Sequence, residues 1–553
     1  MLLAIAGCAA AATPRSQTAD LVLIGGDVHT MDPAHPHATA VAVKGAAIVA
    51  VGSDAEIKSW IGDHTEVVEL TGHTVTPGLV DAHCHVYGLG VDLESVNVRQ
   101  LASEAAVADK VAAEIARRPA GEWVLGRGWD QNRWPGQRFP NRSTLDAKIS
   151  DRAVVLRRID GHAIWVNTPA LRAAGITAAT ADPAGGRIIR DGKGEPTGVF
   201  VDNAMALVES KMPPATPEVR ERRLRLALSM LPVNGFTGVH EMGIEEETAA
   251  VYRKLAAANE LPVHVYAFVL GDPAHPLAKS PEPATGRFVM RGVKFFADGA
   301  LGSRGARLYA DYADDPGNRG LWVTEPKQLA IAVDAAVAHG WQVAIHAIGD
   351  AGIGSVLDAY LAAEKAHPGD LRLRVEHTQV IARADIPRMV EAHAIASMQP
   401  THATSDMPWA QARVGSERIK GAYAWRTMLD KGVPVAAGSD FPVEEVSPIL
   451  GIHAAVTRQD ANGKPAGGWY PEQRMSLDEA IAAFTRGAAY AEFAEAKRGV
   501  IAVGRAADLT VFATALTPDW MLLATRIERT IVDGRTTYRE PVEEIHILQG
   551  AAK

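Results

Sequence analysis

The chain contains 553 residues, of which 47% are hydrophobic and 22% are charged, a composition typical of globular proteins. Its net charge is −9 and it lacks a run of Lys and Arg, so the sequence argues against a nucleic-acid partner. Only Cys8 and Cys84 are available, which excludes a disulfide framework. The length suffices for one large barrel with accessory parts.

Residues 1–19 resemble the end of a bacterial lipoprotein signal, because an apolar run ends in Ile-Ala-Gly-Cys at positions 5–8. Cys8 would then become a lipidated N-terminus. A secretory signal also needs a basic region and a longer apolar region, which this segment lacks. We expect a membrane-anchored lipoprotein on the periplasmic side, with a cytoplasmic protein as the alternative.

Residues 20–76 are predicted to form the first part of a small β-sandwich. Short β-branched or apolar stretches alternate there with turns, as in Leu-Val-Leu-Ile at positions 21–24. The same pattern returns in residues 493–545, for example in Asp-Leu-Thr-Val-Phe at positions 508–512. Both ends of the chain are therefore expected to build one sandwich.

Residues 77–89 and 232–492 alternate apolar strands with amphipathic helices, which predicts parallel βα units. Eight strands are expected, the number of a (β/α)₈ TIM barrel. A doubly wound open sheet is the alternative, but no Gly-rich phosphate loop follows the first strand. The predicted strands are Leu79–His83, Thr237–Glu241, Val263–Leu270, Val293–Ala297, Gln342–His346, Arg374–His377, Ala394–Met398 and Val433–Ala437.

A large insertion separates the first two barrel strands and spans residues 90–231, including the connection back to the barrel. It contains the tryptophan-rich stretch Gly-Arg-Gly-Trp-Asp-Gln-Asn-Arg-Trp-Pro at positions 126–135. The insertion leaves the C-terminal end of the first strand, the side on which barrel active sites lie. We therefore expect it to form a lid or a wall of the substrate pocket.

The first predicted strand ends in two histidines, His83 and His85, with Cys84 between them. Strand side chains alternate, so both imidazoles point to one side and can meet one cation, whereas Cys84 packs on the other side. Taken alone, such a pair is equally consistent with a structural role.

Further metal-ligand residues fall at the C-terminal ends of other predicted strands. His346 ends the fifth strand, His377 ends the sixth, and Asp440 follows the eighth. Catalytic residues of barrel enzymes gather at this rim, so four histidines and one aspartate placed there predict a metal centre.

Lys294 interrupts the apolar fourth strand, and a buried ammonium group is costly unless it is paired or modified. Reaction with CO₂ would turn it into a carbamate, an anion whose two oxygens can bridge metals. The alternative is an ion pair with Asp298, which strand alternation places on the same face.

Together these segments resemble the amidohydrolase superfamily, and the insertion resembles the branch that includes N-substituted formamide deformylase. The resemblance covers nearly the whole chain and includes the motifs at positions 77–85, 293–299, 346–350, 438–440 and 499–508. It implies a divalent metal centre, with two zinc ions bridged by carboxylated Lys294. The implied ligands are His83, His85 and Asp440 for one ion and His346 and His377 for the other.

The predicted reaction is hydrolysis of a carbon–nitrogen bond in a small amide-type, non-peptide substrate by metal-activated water, with Asp440 as general base. Six further residues on the insertion and at the barrel mouth are candidates for substrate binding, although they could equally be structural and packing is the better explanation for the tryptophan. These residues are Asp130, His162, Trp165, His240, Arg304 and His402.

Two other functions fit the same ligands. A deaminase of this superfamily usually places a glutamate shortly after the fifth-strand histidine, but here Ala-Ile-Gly follows His346. A catalytically silent metal-binding protein would not need Asp440 beside the metal. The sequence also allows an oligomer.

Overall fold

The computed structural model describes residues 18–115 and 122–541. The predicted lipid-anchor cysteine, Cys8, lies outside these residues. Within the described ranges, no helix combines the length and the apolarity that a membrane crossing requires.

Eight parallel strands form a nearly closed barrel, which confirms the predicted barrel architecture. Each predicted strand is present, with ends that shift by a few residues. In chain order, barrel strands 1 to 8 are Leu79–Cys84, Phe236–Ile244, His264–Leu270, Phe288–Phe296, Gln342–Ala347, Arg374–His377, Ile395–Met398 and Val435–Ala437.

Side chains and a loop, rather than a strand ladder, join barrel strand 8 to barrel strand 1. The hydroxyl and backbone N–H of Ser439 donate to the carboxylate of Asp81, at 2.6 and 3.0 Å. The backbone N–H of Asp440 donates to the carbonyl oxygen of His83 at 2.7 Å. The closure therefore places the loop after strand 8 against the end of strand 1.

Helices follow most barrel strands, as expected for βα units. The α-helices are Asp54–Ile57, Val86–Glu94, Glu104–Ile115, Arg142–Asp146, Thr168–Ala174, Ala206–Glu209, Pro217–Val233, Glu246–Ala257, Pro326–Ala338, Asp350–Ala366, Ile386–Glu391, Pro400–Asp406, Ala410–Arg418, Trp425–Asp430, Pro448–Thr457, Leu477–Ala482 and Ala488–Ala491.

Strands from both ends of the chain form one sheet, which we call the terminal sheet. It consists of Leu21–His29, His37–Lys44, Ala47–Gly52, Glu66–Glu69, Thr74–Pro77, Leu509–Phe512, Ile527–Val532 and Arg535–Arg539. Strand Leu509–Phe512 pairs with Thr74–Pro77, so residues far apart in sequence share one ladder. The buried residues of both segments pack in a common core. The two packed layers of a sandwich stay a prediction.

A second, six-stranded sheet lies in the insertion between barrel strands 1 and 2. Its strands are Val96–Asn97, Val124–Trp129, Val154–Arg158, Ala163–Val166, Gly186–Arg190 and Pro196–Asp202. Trp129, Trp134 and Trp165 pack edge-on or tilted against one another in its core, with ring centroids 6.1 to 6.4 Å apart. The tryptophan-rich stretch therefore stabilises this sheet by burying aromatic area.

Candidate metal centre

His83 and His85 both face the rim of the barrel. Their rings contact each other edge-on, with centroids 5.6 Å apart. Cys84 is buried in the core and its Sγ donates to the carbonyl oxygen of His240. The alternation of strand side chains thus separates the two imidazoles from the thiol.

Three of the imidazoles are oriented by an oxygen atom next to one ring nitrogen. His83 Nδ1 lies 2.5 Å from Glu376 Oε2, and His85 Nδ1 lies 3.0 Å from the carbonyl oxygen of Met242. His377 Nδ1 lies 2.9 Å from the amide oxygen of Gln399. An acceptor at Nδ1 fixes the proton there and leaves the Nε2 lone pair free for a cation.

The side chains of His377 and Asp440 reach the centre through unusual backbone conformations. His377 has φ 71° and Asp440 has φ 60°, values in the left-handed region that non-glycine residues rarely adopt. Such conformations cluster at functional sites, where the surrounding structure holds them in place. At His377 this conformation lets consecutive residues, Glu376 and His377, both contribute to the centre.

Asp440 lies between the histidines of the centre. Its Oδ1 is 3.2 Å from His85 Nε2 and 3.7 Å from His83 Nε2, whereas its Oδ2 is 3.7 Å from His402 Nε2. Asp440 Oδ1 and His402 Nε2 are buried and make no hydrogen bond within the described part of the chain. A buried polar atom without a partner is costly, so these atoms are suited to a ligand.

The donor set fits a divalent cation. Donor atoms of His83, His85 and Asp440 lie within 4.8 Å of one another, and so do those of His377, His402 and Asp440. Imidazole nitrogen and carboxylate oxygen are ordinary zinc ligands. His346 belongs to neither group, although its ring centroid is 4.6 Å from that of His377. Two adjacent three-residue groups sharing one carboxylate thus occupy the rim.

Burial favours the neutral form of His83, His346 and His377. It lowers the pKa of His83 to about 4, with a further contribution from Lys294. It also lowers the pKa of His346 and His377 well below the usual value. A neutral imidazole carries the lone pair that metal coordination requires. These three histidines are therefore in the ligand form at neutral pH.

Lys294 is buried at the same rim, with its Nζ 3.4 Å from His83 Nε2. Burial lowers its pKa to about 8. The alternative ion pair with Asp298 is wrong for this structure, because no carboxylate within the described ranges lies within 4 Å of Nζ. The carboxylate of Asp298 instead accepts the backbone N–H groups of Arg307, Ile348 and Gly349.

The insertion covers the centre through His162. Its ring centroid is 4.8 Å from that of His346, and its Nδ1 lies 2.6 Å from Asp202 Oδ1. Burial alone would lower the pKa of His162, but the adjacent Asp202 carboxylate raises it. Asp130 pairs with Arg158 at 2.7 Å on the same side of the insertion. The lid predicted from the sequence thus reaches the metal-ligand residues.

Two cavities meet at the centre, of about 610 and 220 Å³. His162, His346, His377 and Asp440 line both cavities. Asp130 and His402 line the smaller one. The larger cavity extends between the barrel and the insertion sheet, and its walls are mixed apolar and charged. A substrate held across the centre would have one part in each cavity.

Three predicted substrate-binding residues line neither of these cavities in the described structure. Trp165 is fully buried in the insertion core, and Arg304 pairs with Asp314 at 2.9 Å. His240 is buried inside the barrel, where its Nδ1 lies 2.8 Å from a nitrogen of Arg374. Barrel strand 2 continues to Ile244, so His240 lies below the rim rather than on it.

Sequence reasoning missed Glu376 and Arg374, which support the centre from barrel strand 6. Arg374 Nε donates to Glu376 Oε1 at 2.7 Å, while Glu376 Oε2 contacts His83. Burial would raise the pKa of Glu376, but the charges of Arg374 and His83 lower it strongly. Two charged residues in a four-residue buried strand were the available signal.

The Amidohydrolase family profile matches residues 66–538. The chain belongs to the amidohydrolase family. Putative amidohydrolase YtcJ of Bacillus subtilis is 34% identical over 93% of this chain and 99% of its own length. N-substituted formamide deformylase of Arthrobacter pascens is 29% identical over 95% of this chain and 99% of its own length.

Solved structures agree with this family membership. An uncharacterized metal-dependent hydrolase from Pyrococcus horikoshii has a TM-score of 0.72 and 25% identity, over 90% of this chain and 98% of that protein. The chain is accordingly a metal-dependent hydrolase of the amidohydrolase family, and the rim of its barrel holds the candidate metal ligands.

Proposed function

We propose that this amidohydrolase cleaves a carbon–nitrogen bond in a non-peptide amide. The observation that carries the proposal is the position of Asp440, whose Oδ1 makes no hydrogen bond and faces His85 and His83 where the two cavities meet. The similarity to a protein named N-substituted formamide deformylase supports the bond type. The deaminase alternative lacks the expected glutamate, since Ala-Ile-Gly follows His346.

His83, His85 and Asp440 would hold one zinc ion, and His346 and His377 would hold a second. A bound divalent cation supplies an acidified water molecule and polarises the amide carbonyl. Glu376, Met242 and Gln399 orient the ligand imidazoles, and such supporting contacts raise ligand basicity and fix ring orientation. These contacts hold the imidazoles of His83, His85 and His377 in the orientation that metal binding would use.

Asp440 would act as the general base. Burial would raise the pKa of its carboxyl group, but His85 and His83 hold it well below the usual range. The carboxylate is therefore ionised at neutral pH and can take a proton from water. The same group, then protonated, can donate that proton to the leaving nitrogen.

Lys294 would bridge the two ions as a carbamate. An unmodified ammonium group at this position would repel the cations, because like charges a few ångströms apart in a buried site interact unfavourably. Its lowered pKa, about 8, increases the fraction of neutral amine, which is the form that adds CO₂. The proposed carbamate would replace the positive charge of Lys294 with an anionic group that has two oxygen donors.

His162, Asp130 and His402 would contact the substrate. His162 lines both cavities and is held by Asp202, so it can donate a hydrogen bond from the lid. Asp130 and His402 line the smaller cavity, where they can receive the group on the far side of the scissile bond.

The proposal is tested by assaying metal-depleted and zinc-reloaded protein on a panel of N-formyl and N-acyl amines, with aminated heterocycles as deaminase substrates. We expect reloaded protein to release amine from at least one amide and no ammonia from the heterocycles. Ammonia release alone would establish deamination. Stoichiometric metal binding without turnover of either panel would indicate a silent metal-binding protein.

A further inference from the structure

One guanidinium group in the wall of the larger cavity has no anionic partner. Arg127 lies on the insertion strand Val124–Trp129 and lines the cavity together with His346 and Asp440. Its Nη2 donates to the carbonyl oxygen of Ile159 at 3.0 Å, whereas its Nε is buried without a partner. No carboxylate among the described residues lies within 4 Å of it.

The carboxylates of this cavity are committed elsewhere. Each is hydrogen-bonded or paired with another group, apart from Asp440 of the metal centre. The pairs are Asp92 with Arg99, Asp160 with Arg158, Asp202 with His162, Glu209 with Arg157, Glu241 with the backbone N–H of Val86, and Glu245 with Arg220. Arg127 is therefore a guanidinium group without an ion-pair partner in the described wall.

A second arginine lies next to Arg127 in the insertion sheet. Burial, with a smaller contribution from the charge of Arg157, lowers the pKa of Arg127 to about 10, although the carboxylate of Asp92 acts in the opposite direction. Arg157 is the partner of Arg127 in the register of the insertion sheet, so both side chains project from the same face. An anion bound between the cavity wall and the metal centre would relieve this repulsion.

Apolar side chains line the same cavity as Arg127. Leu125 and Val155 pair in the same ladder two residues before Arg127 and Arg157, which places them on the same face of the sheet, and both line the cavity. Met205 and Met212 extend this surface. A ligand that reaches Arg127 therefore places an apolar group against these four side chains, and methionine adapts to varied shapes.

We propose that Arg127 binds a carboxylate of the substrate, and that the substrate is an N-acylated amino acid with an apolar side chain. This inference rests on the proposed amide hydrolysis. Guanidinium and carboxylate groups form strong charge-assisted, often bidentate hydrogen bonds, which makes an unpaired arginine in a cavity a specific anion site. Arg127 is thus a specificity-determining residue rather than a catalytic one.

The test compares two amides that differ only in the carboxylate. N-formylleucine, as separate enantiomers, is the anionic probe, and N-formyl-3-methylbutylamine is the same molecule without the carboxylate. We expect zinc-loaded wild-type protein to prefer one enantiomer of the anionic probe in kcat/KM. In the Arg127→Met variant, kcat/KM for that probe should fall about 10²-fold, while the value for the neutral amide should change less than about threefold.

A matched control removes a paired guanidinium from the same cavity wall. The double variant Arg157→Met/Glu209→Met deletes an ion pair without changing the net charge. Its ratio of kcat/KM for the anionic and neutral probes should equal that of the wild type. A fall in both rates of the Arg127→Met variant by the same factor would show that Arg127 only supports the loop of Ile159, and would overturn the proposal.

Failure of amide hydrolysis is distinguished by a binding measurement. If neither probe is hydrolysed by wild-type protein, the proposed function is wrong, and calorimetry with 4-methylpentanoate then tests the anion site alone. At least tenfold weaker binding to Arg127→Met than to wild type supports a carboxylate site at Arg127. Equal affinity for both proteins overturns it, as does equal kcat/KM of the wild type for the two amides.

Discussion

Glu376 Oε2 lies 2.5 Å from Nδ1 of His83, and neither side chain is exposed to solvent. The contact joins barrel strand 6 to barrel strand 1 and leaves His83 Nε2 directed toward Asp440. Oxygen acceptors of this kind commonly orient metal-binding imidazoles. The orientation of the first ligand therefore depends on a residue on the far side of the barrel.

Replacing Glu376 by Gln should weaken metal binding by about 10–100-fold, because the amide places a competing donor against His83 or Arg374. Competition with a chromogenic chelator measures the affinity. Glu492→Gln provides a control, since Glu492 is a buried carboxylate near His240 and pairs with none of the proposed metal-ligating residues. Unchanged zinc affinity in Glu376→Gln would mean that His83 needs no such orientation.

Replacing Asp440 by Asn should leave the fold intact and lower kcat by about 10² or more, the usual scale for loss of an acid–base group. The amide keeps the size and an oxygen ligand but cannot accept a proton. Metal content, measured on the same sample, separates loss of the base from loss of the ion. Near-normal turnover with full metal occupancy would assign proton transfer to another residue.

Replacing Lys294 by Ala should remove one of two bound metal ions together with activity, because the bridging carbamate is lost. Acetate added with zinc should partly restore both, since a free carboxylate can occupy the vacated space. Lys294→Glu should keep partial function through its own shorter carboxylate. Elemental analysis showing one ion in fully active wild-type protein, with an unmodified Lys294 in the electron density of a crystal structure, would contradict the bridge.

The stability contributed by His264 should depend on pH. His264, at the start of barrel strand 3, lies 3.3 Å from Asp508 and 3.5 Å from Asp533 of the adjoining terminal segment. Burial would lower the pKa of His264, but Asp508 and Asp533 raise it. In turn, the interaction with His264 lowers the pKa of both carboxyl groups despite their burial.

The contribution of the His264 imidazolium to the free energy of unfolding is complete below the pKa of histidine in the unfolded chain, about 6.5. It is lost as pH rises through the higher pKa of the folded protein. The contribution of the Asp508 and Asp533 carboxylates to the free energy of unfolding is complete above about pH 4 and is lost at lower pH. His264→Asn should thus lower Tm by on the order of 2 °C near pH 5.5 and less at pH 9. His275→Asn, in an exposed pair with Asp272, is the control. If the difference in Tm between wild type and His264→Asn were the same at both pH values, the ion pairs of His264 would not contribute to stability as proposed.

We propose that Cys8 is a lipidated anchor. With a complete upstream signal, wild-type protein should sediment with membranes, and Cys8→Ser should remain soluble, because it lacks the thiol that carries the lipid. Fractionation followed by immunoblotting measures this difference. Identical recovery of both forms from the cytoplasm would show that export does not occur.

The eight barrel strands were predictable because buried parallel strands appear as short apolar runs with helical patterns between them. The placement of histidines at strand ends was predictable from the same pattern. The position of a residue along its strand was not predictable. His240 is correctly assigned to barrel strand 2 but lies several residues before the end of that strand at Ile244. Strand length depends on pairing with neighbours, which a single segment does not reveal.

Side-chain direction also escaped the pattern where the backbone departs from extended geometry. Simple alternation would place Glu376 and His377 on opposite faces, whereas the positive φ of His377 brings both to the centre. Arg127 was overlooked because its unpaired state depends on where the partners of the other arginines lie. Such long-range pairing is a property of the fold and not of the local sequence.

The order of strands in the terminal sheet has a consequence for synthesis. Strand Thr74–Pro77 has Leu509–Phe512 as its neighbour, and the backbone N–H of Gly78 donates to the carbonyl oxygen of Asp508 at 2.7 Å. A growing chain therefore exposes an unpaired strand edge beside barrel strand 1 until residue 512 has left the ribosome. Unpaired edges promote association between chains. We expect nascent chains of this protein to require chaperones for most of their translation.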